Sequence, residues 1–249
     1  MSIASPYYSI HPKIYDDQFW WKKDDIEFWK KILYPHTSTV LELAAGTGRL
    51  AHPLIKEGFN YRGLEISKSY CDYANQLLAN KSKFLFQGDM RCFDFNKKFD
   101  KIFIPFNSLS HLLNEKDFIN MLNCIKNHMY PSSEFYIDVF YPHSSYLYKN
   151  KKPQKRIEFF NSTNSQETII KESLSYNEKS EIITVCWDYE SKNNIYDKFI
   201  FEMKIYYPDT INRILTDNGF EILELWGDYN QCDFSEESNL QIYKCKKLS

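Results

Sequence analysis

The stretch that most constrains the fold is Val40–Leu50, VLELAAGTGRL. An aliphatic run with one acid inside it, Glu42, reads as a buried strand, and Gly46 and Gly48 follow at once. Glycine reaches backbone conformations closed to other residues, so the chain can turn tightly there and bring bare N–H groups up to a ligand. From Arg49 the spacing becomes helical, with Leu50, Leu54 and Ile55 on one side. Strand, glycine turn and helix open a nucleotide-binding α/β domain. Glycine is scarce here, seven in 249 residues, so a pair this close stands out. The next strand, residues 60–66 (NYRGLEI), carries an acid near its end, Glu65, 17 residues past Gly48. A carboxylate so placed can accept hydrogen bonds from both hydroxyls of an adenosine ribose.

Two adenosine cofactors fit this much: a nicotinamide dinucleotide and S-adenosylmethionine. The dinucleotide fingerprint asks for a third glycine near Ala51, where alanine is a permitted variant, so the glycines leave both open. Three other features separate them. Glu42 lies inside the strand, where it can face a cationic ammonium or sulfonium but would repel a pyrophosphate. The strand over 83–88 ends in Gly88-Asp89-Met90, a polar residue and a soft apolar one suited to the edge and face of adenine. A fourth strand, 99–105, leads into Phe106-Asn107-Ser108-Leu109-Ser110-His111. Together these resemble the class I S-adenosylmethionine-dependent methyltransferases, over most of the chain. The resemblance implies a Rossmann-like α/β fold: a seven-stranded, mostly parallel sheet with helices on both faces.

Composition narrows the classes. Lysine and arginine (31) nearly balance aspartate and glutamate (33), which gives no general electrostatic reason to bind nucleic acid. The six cysteines are scattered without a C-x-x-C pair, against zinc or a disulfide framework and in keeping with a reducing cytosol. No metal is expected. No apolar run reaches the roughly 18 residues of a membrane span, and residues 1–8 lack a signal-peptide core. A soluble, cytoplasmic protein with no membrane or nucleic-acid partner is expected.

The remaining segments follow in order. Residues 1–36 are expected to form an aromatic segment, stapled to the domain's surface or acting as a lid over the cofactor, and a helix over 23–33 with Ile26, Trp29 and Leu33 on one face. Trp20 and Trp21 belong to the lid. Ser67 caps a helix through Asn80, with Cys71, Ala74, Leu77 and Leu78 inward. His111–Met129 carries a helical stripe, Phe118, Leu122, Ile125 and Met129, and His128 reads as its C-terminal cap. Residues 133–140 form a fifth strand containing Asp138. Over 155–207 the period changes from helical to two: Ile183, Val185, Trp187 and Tyr189 alternate with Thr184, Cys186 and Asp188. That pattern predicts a three- or four-stranded antiparallel insertion, a roof for an acceptor site, with turns at 177–180 and 191–194. Its edge strands offer unpaired backbone and favour a homodimer. The divisions are therefore 1–36, a core of 37–148 with 208–249, and the insertion 149–207. The basic cluster Lys149, Lys151, Lys152, Lys155 and Arg156 reads as a solvated loop, or as a holder of phosphate.

Within the methyltransferases, GLEIS (63–67), QGDMRCF (87–93) and KKFD (97–100) resemble the amino-sugar N,N-dimethyltransferases. FNSLSHL (106–112) and YYP (206–208) resemble the glycine N-methyltransferases. The resemblance assigns the cofactor to Tyr15, Lys23, Glu42, Ala44, Gly46, Gly48, Glu65, Ile66, Asp89, Met90 and Phe106. It puts the small-molecule acceptor near Trp20, Trp21, Asn107, His111, Asp138 and Tyr207, with His111, Tyr15 and Asn107 at the chemistry. The glycine enzymes hold their substrate carboxylate with an arginine two residues past the aspartate of the fifth strand. Phe140 stands there, so glycine is not the expected acceptor. An amino or hydroxyl group on a sugar, which can be nucleotide-linked, is expected instead. A hydroxyl acceptor needs a base, for which His111 is placed; an amine needs only alignment. The competing readings are an N-methyltransferase of another small amine, a nicotinamide oxidoreductase and a non-catalytic cofactor-binding protein.

Overall fold

The computed structural model describes residues 9–78, 82–141, 143–149, 152–192 and 194–248. Residues 1–8 of the expected lid, the last residues of the helix expected to reach Asn80, and Lys151 of the basic cluster lie outside them. The strands are β1 (Thr39–Leu43), β2 (Asn60–Glu65), β3 (Leu85–Gln87), β4 (Phe99–Ile104), β5 (Met129–Phe140), β6 (Gln154–Asn161), β7 (Gln166–Asn177), β8 (Ile182–Ser191), β9 (Asn194–Lys204), β10 (Phe220–Trp226) and β11 (Leu240–Lys247). The helices are α1 (Pro12–Gln18), α2 (Ile26–Leu33), α3 (Ala51–Lys56), α4 (Lys68–Leu77), α5 (Glu115–Asn127), α6 (Ser144–Lys149) and α7 (Pro208–Asp217).

Seven strands form one sheet in the order β10-β11-β5-β4-β1-β2-β3, in which β11 runs antiparallel to β5 and β10. β1 pairs in parallel with β2 on one side and β4 on the other. Strand order reverses at that junction, so a crevice opens at the carboxyl ends of β1 and β4. Alternate residues supply two cores. Leu41, Leu43, Ile102, Ile104 and Ile137 join Phe118, Leu122 and Ile125 of α5 and Ile211 and Leu215 of α7. Val40, Phe103, Tyr136 and Ile242 join Trp29 of α2, Leu54 of α3 and Ala74 of α4. Helices thus cover both faces, which is why β1 is apolar at alternate and adjacent positions alike, with Glu42 its one acid. This is the Rossmann-like α/β fold the motifs implied. These elements belong to a compact unit of Asp24–Tyr141 and Tyr206–Ser249.

The second unit comprises the described part of Met1–Lys23 and Pro142–Ile205. Its four strands pair antiparallel in the order β6-β7-β8-β9. The period-two reading holds on β8 as far as Trp187, with Ile183, Val185 and Trp187 buried, and then lapses, because Asp188 and Glu190 are buried along with Tyr189. Both turns fall where Asn and Ser cluster, after Asn177 and after Ser191.

Local differences have local causes. The lid segment contains a helix, α1, because Pro12 takes a first-turn position where no backbone N–H is needed. α2 starts at Ile26, the first residue of the stripe and three residues later than the expected start at Lys23. α5 starts at Glu115 because the Asn114 side chain accepts from Asp117 N at 2.9 Å, a cap that ends any continuous helix from His111. Of the α4 residues expected inward, Cys71 and Ala74 are buried but Leu77 is 52% exposed, and Tyr70 is buried although it was not among them. Tyr206 is buried just past the end of β9 at Lys204.

Candidate functional site at the carboxyl ends of β1, β2, β4 and β5

Two loops define the crevice. After β1, Ala44, Gly46 and Gly48 take φ of 55°, 58° and 84°. A Cβ built at Gly46 meets no protein atom within 4 Å. Backbone conformation, not packing, is what calls for glycine there, and the space a Cβ would take is open. Gly46 N–H donates to Glu65 Oε2 at 2.9 Å, and Ser67 N–H donates to Glu65 Oε1 at 2.8 Å. Glu65 is 2% exposed and ties the glycine turn to the tip of β2. Burial pushes its carboxyl above the usual range, and the donations from Ser67, Gly46 and Ile66 pull the other way without cancelling that. A carboxylate has about four lone-pair sites, so these backbone donations leave capacity for a ribose hydroxyl.

Glu42 lies beneath this turn, 3% exposed, and Tyr61 OH donates to its Oε2 at 2.6 Å. Burial raises its carboxyl to about 8, against the pull of Tyr61 and of the Arg49 charge. The acid expected to face a cation is therefore mostly protonated at pH 7. Arg49 makes a two-pronged pair with the fully buried Asp25, at 2.6 and 2.7 Å. Its guanidinium also lies 5.2 Å from the Phe106 ring centre, which links the glycine turn to the loop after β4.

That second loop is built differently. Phe106 and Asn107 take φ of 53° and 60° without being glycine. Asp138 of β5 holds them: its Oδ2 accepts from Phe106 N at 3.1 Å and from Tyr229 OH at 2.9 Å, and its carbonyl accepts from Asn107 N at 3.0 Å. Asn107 Oδ1 accepts from Phe140 N at 2.5 Å. Asp138 is 1% exposed. Both residues therefore fix the loop that leads to His111. A 3₁₀ turn, Ser108–His111, follows. Tyr206 OH donates to Leu112 O at 2.6 Å, and Gln241 Nε2 donates to Tyr206 O at 3.0 Å, which anchors the far end. Burial pushes the His111 ring down to about 4, so it is neutral at physiological pH.

The other expected residues are placed as follows. Ile66 is half-buried at the end of β2, and Met90 packs on the core shared with α5. Asp89 is gripped by Arg91, whose Nε lies at 2.9 and 3.1 Å from its two oxygens, while Arg91 also reaches Asp117 at 3.1 Å. Burial pushes the Asp89 carboxyl up, but the Arg91 bonds and charge outweigh it and leave it below the usual value. Tyr207 is the N-cap residue of α7. Tyr15, Trp20, Trp21 and Lys23 belong to the four-stranded unit, where Tyr15 stacks against Phe19 with centroids 4.8 Å apart. Trp20 and Trp21 are exposed by 59% and 44%. Among the described residues no group of three or more His, Cys, Asp or Glu could hold a metal ion. Asp25, Arg49, Tyr61 and Tyr229 escaped sequence reasoning. Arg49 had a signal in its position next to Gly48, and the other three act through distant partners that no spacing shows.

His128 was read as a helix cap, and it sits at the C-cap of α5. Its Nδ1 lies 2.7 Å from Cys124 O, and its Nε2 accepts from Phe95 N at 2.9 Å.

Residues 40–132 match the family model described as Methyltransferase domain. YqeM of Bacillus subtilis (strain 168), itself named as a methyltransferase, is 24% identical over 223 residues, 88% of each chain. The dTDP-3-amino-3,4,6-trideoxy-alpha-D-glucopyranose N,N-dimethyltransferase of Streptomyces venezuelae is 30% identical over 97 residues, 39% of this chain and 40% of that one. Among solved structures, the CcbJ methyltransferase from Streptomyces caelestis superposes with a TM-score of 0.77 at 19% identity, over 96% of this chain and 99% of the other. The fold is that of a class I methyltransferase, and the matched domain contains β1, β2 and β4 with both loops of the crevice.

Proposed function

We propose that the protein transfers a methyl group from S-adenosylmethionine to an amino group of a small polar metabolite, a sugar amine. The observation that carries this reading is the crevice itself: an open glycine turn clasped to Glu65, with buried Glu42 beneath it. Those residues fit the cofactor, Glu65 for its ribose and Glu42 for its cationic end. Bound S-adenosylmethionine supplies an electrophilic methyl with a thioether as leaving group. What remains for the chain is to align the acceptor and exclude water. The sugar is supported by the likeness of residues within 63–100 to the amino-sugar enzymes and by the Streptomyces venezuelae relative.

The choice of amine over hydroxyl rests on His111. A ring whose basicity is lowered to about 4 is neutral but a poor proton acceptor for a hydroxyl. An amine attacks with its own lone pair and loses its proton afterwards, so a weak base suffices. His111→Ala should lower kcat by less than about tenfold, against the roughly 10²–10⁴-fold expected of a general base. A loss in that larger range, with cofactor affinity intact, would favour a hydroxyl acceptor. Calorimetric titration with S-adenosylmethionine and with NADH tests the cofactor. Binding of NADH alone would sink the proposal. The working form is proposed as a cytoplasmic homodimer, with an edge strand of the four-stranded sheet, β6 or β9, pairing between copies. Light scattering on the purified protein reads its mass.

A further inference from the structure

The four-stranded unit contains a cavity of about 300 Å³. Phe19, Trp21, Trp187, Ile157 and Ile170 form its apolar walls, and all of its lining belongs to that unit. Ile157 of β6 stands opposite Ile170 of β7 in the ladder, and Trp187 of β8 stands opposite Glu172 of β7. Phe19 lies 6.3 Å from Trp21 and 6.4 Å from Trp187, ring centre to ring centre. Phe201 of β9 packs edge-on against Trp187 at 4.9 Å. Asp17 ties α1 to the sheet by accepting from Ser162 N at 2.9 Å and Ser162 Oγ at 2.5 Å. The fold thus holds the rings of the cavity in place.

Two polar groups break the apolar surface, at opposite depths. Gln18 is the deep one, 1% exposed. Its Oε1 accepts from Tyr189 OH, while its Nε2 donor has no hydrogen-bond partner among the described residues. Buried donors are nearly always paired, so one left over at a cavity wall points to an accepting atom supplied from outside the chain. Arg156 marks the mouth: its side chain is 52% exposed, with Nε 3.6 Å from Glu172 Oε2. Glu172 in turn accepts from Trp187 Nε1 at 2.9 Å, so one carboxylate steadies both the indole and the guanidinium. A guanidinium carries five donors, more than this contact uses, and its planar fork matches a carboxylate.

We propose that this cavity binds a small aromatic carboxylate bearing an accepting oxygen on the side of its ring away from the acid. The carboxylate meets Arg156 at the mouth, the ring lies among Phe19, Trp21 and Trp187, and the far oxygen accepts from Gln18 Nε2. Size agrees, because the cavity has the liquid volume of about ten waters, enough for one substituted ring. A sugar would bring several hydroxyls against five apolar side chains and lose their hydration there. A purely apolar ligand would leave Gln18 Nε2 buried and unpaired, and a cation would face Arg156. The site draws on the four-stranded unit alone and does not depend on the methyl-transfer reading.

Calorimetry on the full chain without cofactor tests this, with para-acetylbenzoate, its isostere para-isopropylbenzoate and the uncharged para-acetylbenzamide as probes. The acetyl acid should bind about tenfold more tightly than the isopropyl acid, which offers Gln18 no oxygen. It should also bind about tenfold more tightly than the amide, which offers Arg156 no charge. Arg156→Gln should level the acid with the amide and leave the preference for the ketone. Gln18→Glu keeps an oxygen for Tyr189 but removes the donor, and should level the ketone with the isopropyl group. Arg156 lies on the surface, where folding is not at stake, and the comparison of probes on the parent protein needs no variant at all. Equal binding of the two acids to the parent would overturn the role of Gln18 and with it the proposed ligand. Affinities unmoved by Arg156→Gln would overturn the site. If S-adenosylmethionine binds but none of these probes does, the cavity proposal fails and the methyl-transfer reading stands. The acetyl acid binding to a protein that takes no S-adenosylmethionine separates them the other way.

Discussion

The two loops of the crevice reach the same left-handed backbone by different means. The turn after β1 has one such residue with a Cβ, Ala44, and otherwise uses Gly46 and Gly48, for which φ of 58° and 84° is unstrained. The loop after β4 uses Phe106 and Asn107 at 53° and 60°, and side chains must hold it there. A residue with a Cβ in this region costs on the order of 1–2 kcal/mol. Asp138 and Asn107 offset that with a set of hydrogen bonds to Phe106 N, Asn107 N, Tyr229 OH and Phe140 N. A glycine turn admits a ligand but directs no side chain. A strained, clamped loop directs one, and the residue it delivers is His111. The difference matches the division of labour proposed above between a cofactor end and an acceptor end.

The sharpest way to break the comparison is to remove the clamp. Asp138→Ala leaves Phe106 N–H and Tyr229 OH buried without their acceptor, at about 1–3 kcal/mol each. Urea denaturation should show a stability loss of roughly 3 kcal/mol. Asp138→Asn, which keeps one acceptor oxygen, should lose about half as much. An Asp138→Ala protein as stable as the parent would mean that the loop holds itself. On the glycine side, Glu65→Ala should weaken S-adenosylmethionine binding by about 1.5–3 kcal/mol, the usual worth of hydrogen bonds to a charged group. Unchanged affinity in calorimetry would remove Glu65 from the ribose.

The same contrast explains what the sequence could disclose. Gly46, Gly48 and Glu65 are legible because their chemistry needs particular residue types at short spacing. Five strands of the large sheet are legible from the residues and β8 from its period of two, while the count of seven came from the resemblance. The clamp is not legible. Nothing in the composition of FNS marks Phe106 and Asn107 as left-handed, because their conformation is imposed by Asp138 and Tyr229 from far along the chain. Asp138 and Asn107 were expected at the acceptor, yet the bonds they make are to backbone and to Tyr229. Arg49–Asp25 was invisible for the same reason, being a pair between a loop and the residue before α2. The start of α5 was misplaced although Asn114 announced it, because an apolar stripe was extended past its cap.

Glu42 sharpens the account of the glycine side through pH. Its carboxyl titrates near 8 in the folded protein and near 4.5 when free of burial. The raised value means that folding favours the protonated form, so its stabilising contribution is complete below pH 4.5 and lost as pH rises to about 8. A cation bound against it favours the carboxylate and lowers that value. Binding of S-adenosylmethionine at pH 7 should then release close to one proton per site. Affinity should rise with pH by up to about tenfold per unit, 1.36 kcal/mol, and level off above pH 8. Calorimetry in buffers of different ionisation heat reads the proton directly. Glu42→Gln should abolish the release, and a release that persists in that variant would place the proton elsewhere.

The smallest effect is also the most direct measure of the difference between the loops. At Asn107, glycine would relieve the strain of φ 60° but lose the bond from Phe140 N to Oδ1. The relief is about 1 kcal/mol, the lost bond about 1 kcal/mol, and the added freedom of an unfolded glycine costs a further 0.5–1 kcal/mol or so. Asn107→Gly should therefore destabilise by only about 1 kcal/mol or less. Asn107→Ala loses the same bond and keeps the strain, so it should be the less stable of the two by a few tenths to about 1 kcal/mol. At a position with ordinary φ the order would be reversed. Gly46→Ala applies the same test to the other loop, and a Cβ there meets no protein atom within 4 Å, so backbone strain alone sets its cost. Alanine more stable than glycine at residue 107 would show that the loop is not held in the left-handed region in solution, and the contrast between the two loops would fall with it. Turnover in Asn107→Gly should drop by more than its stability suggests, because the loop that positions His111 would then be unstrained but also unclamped.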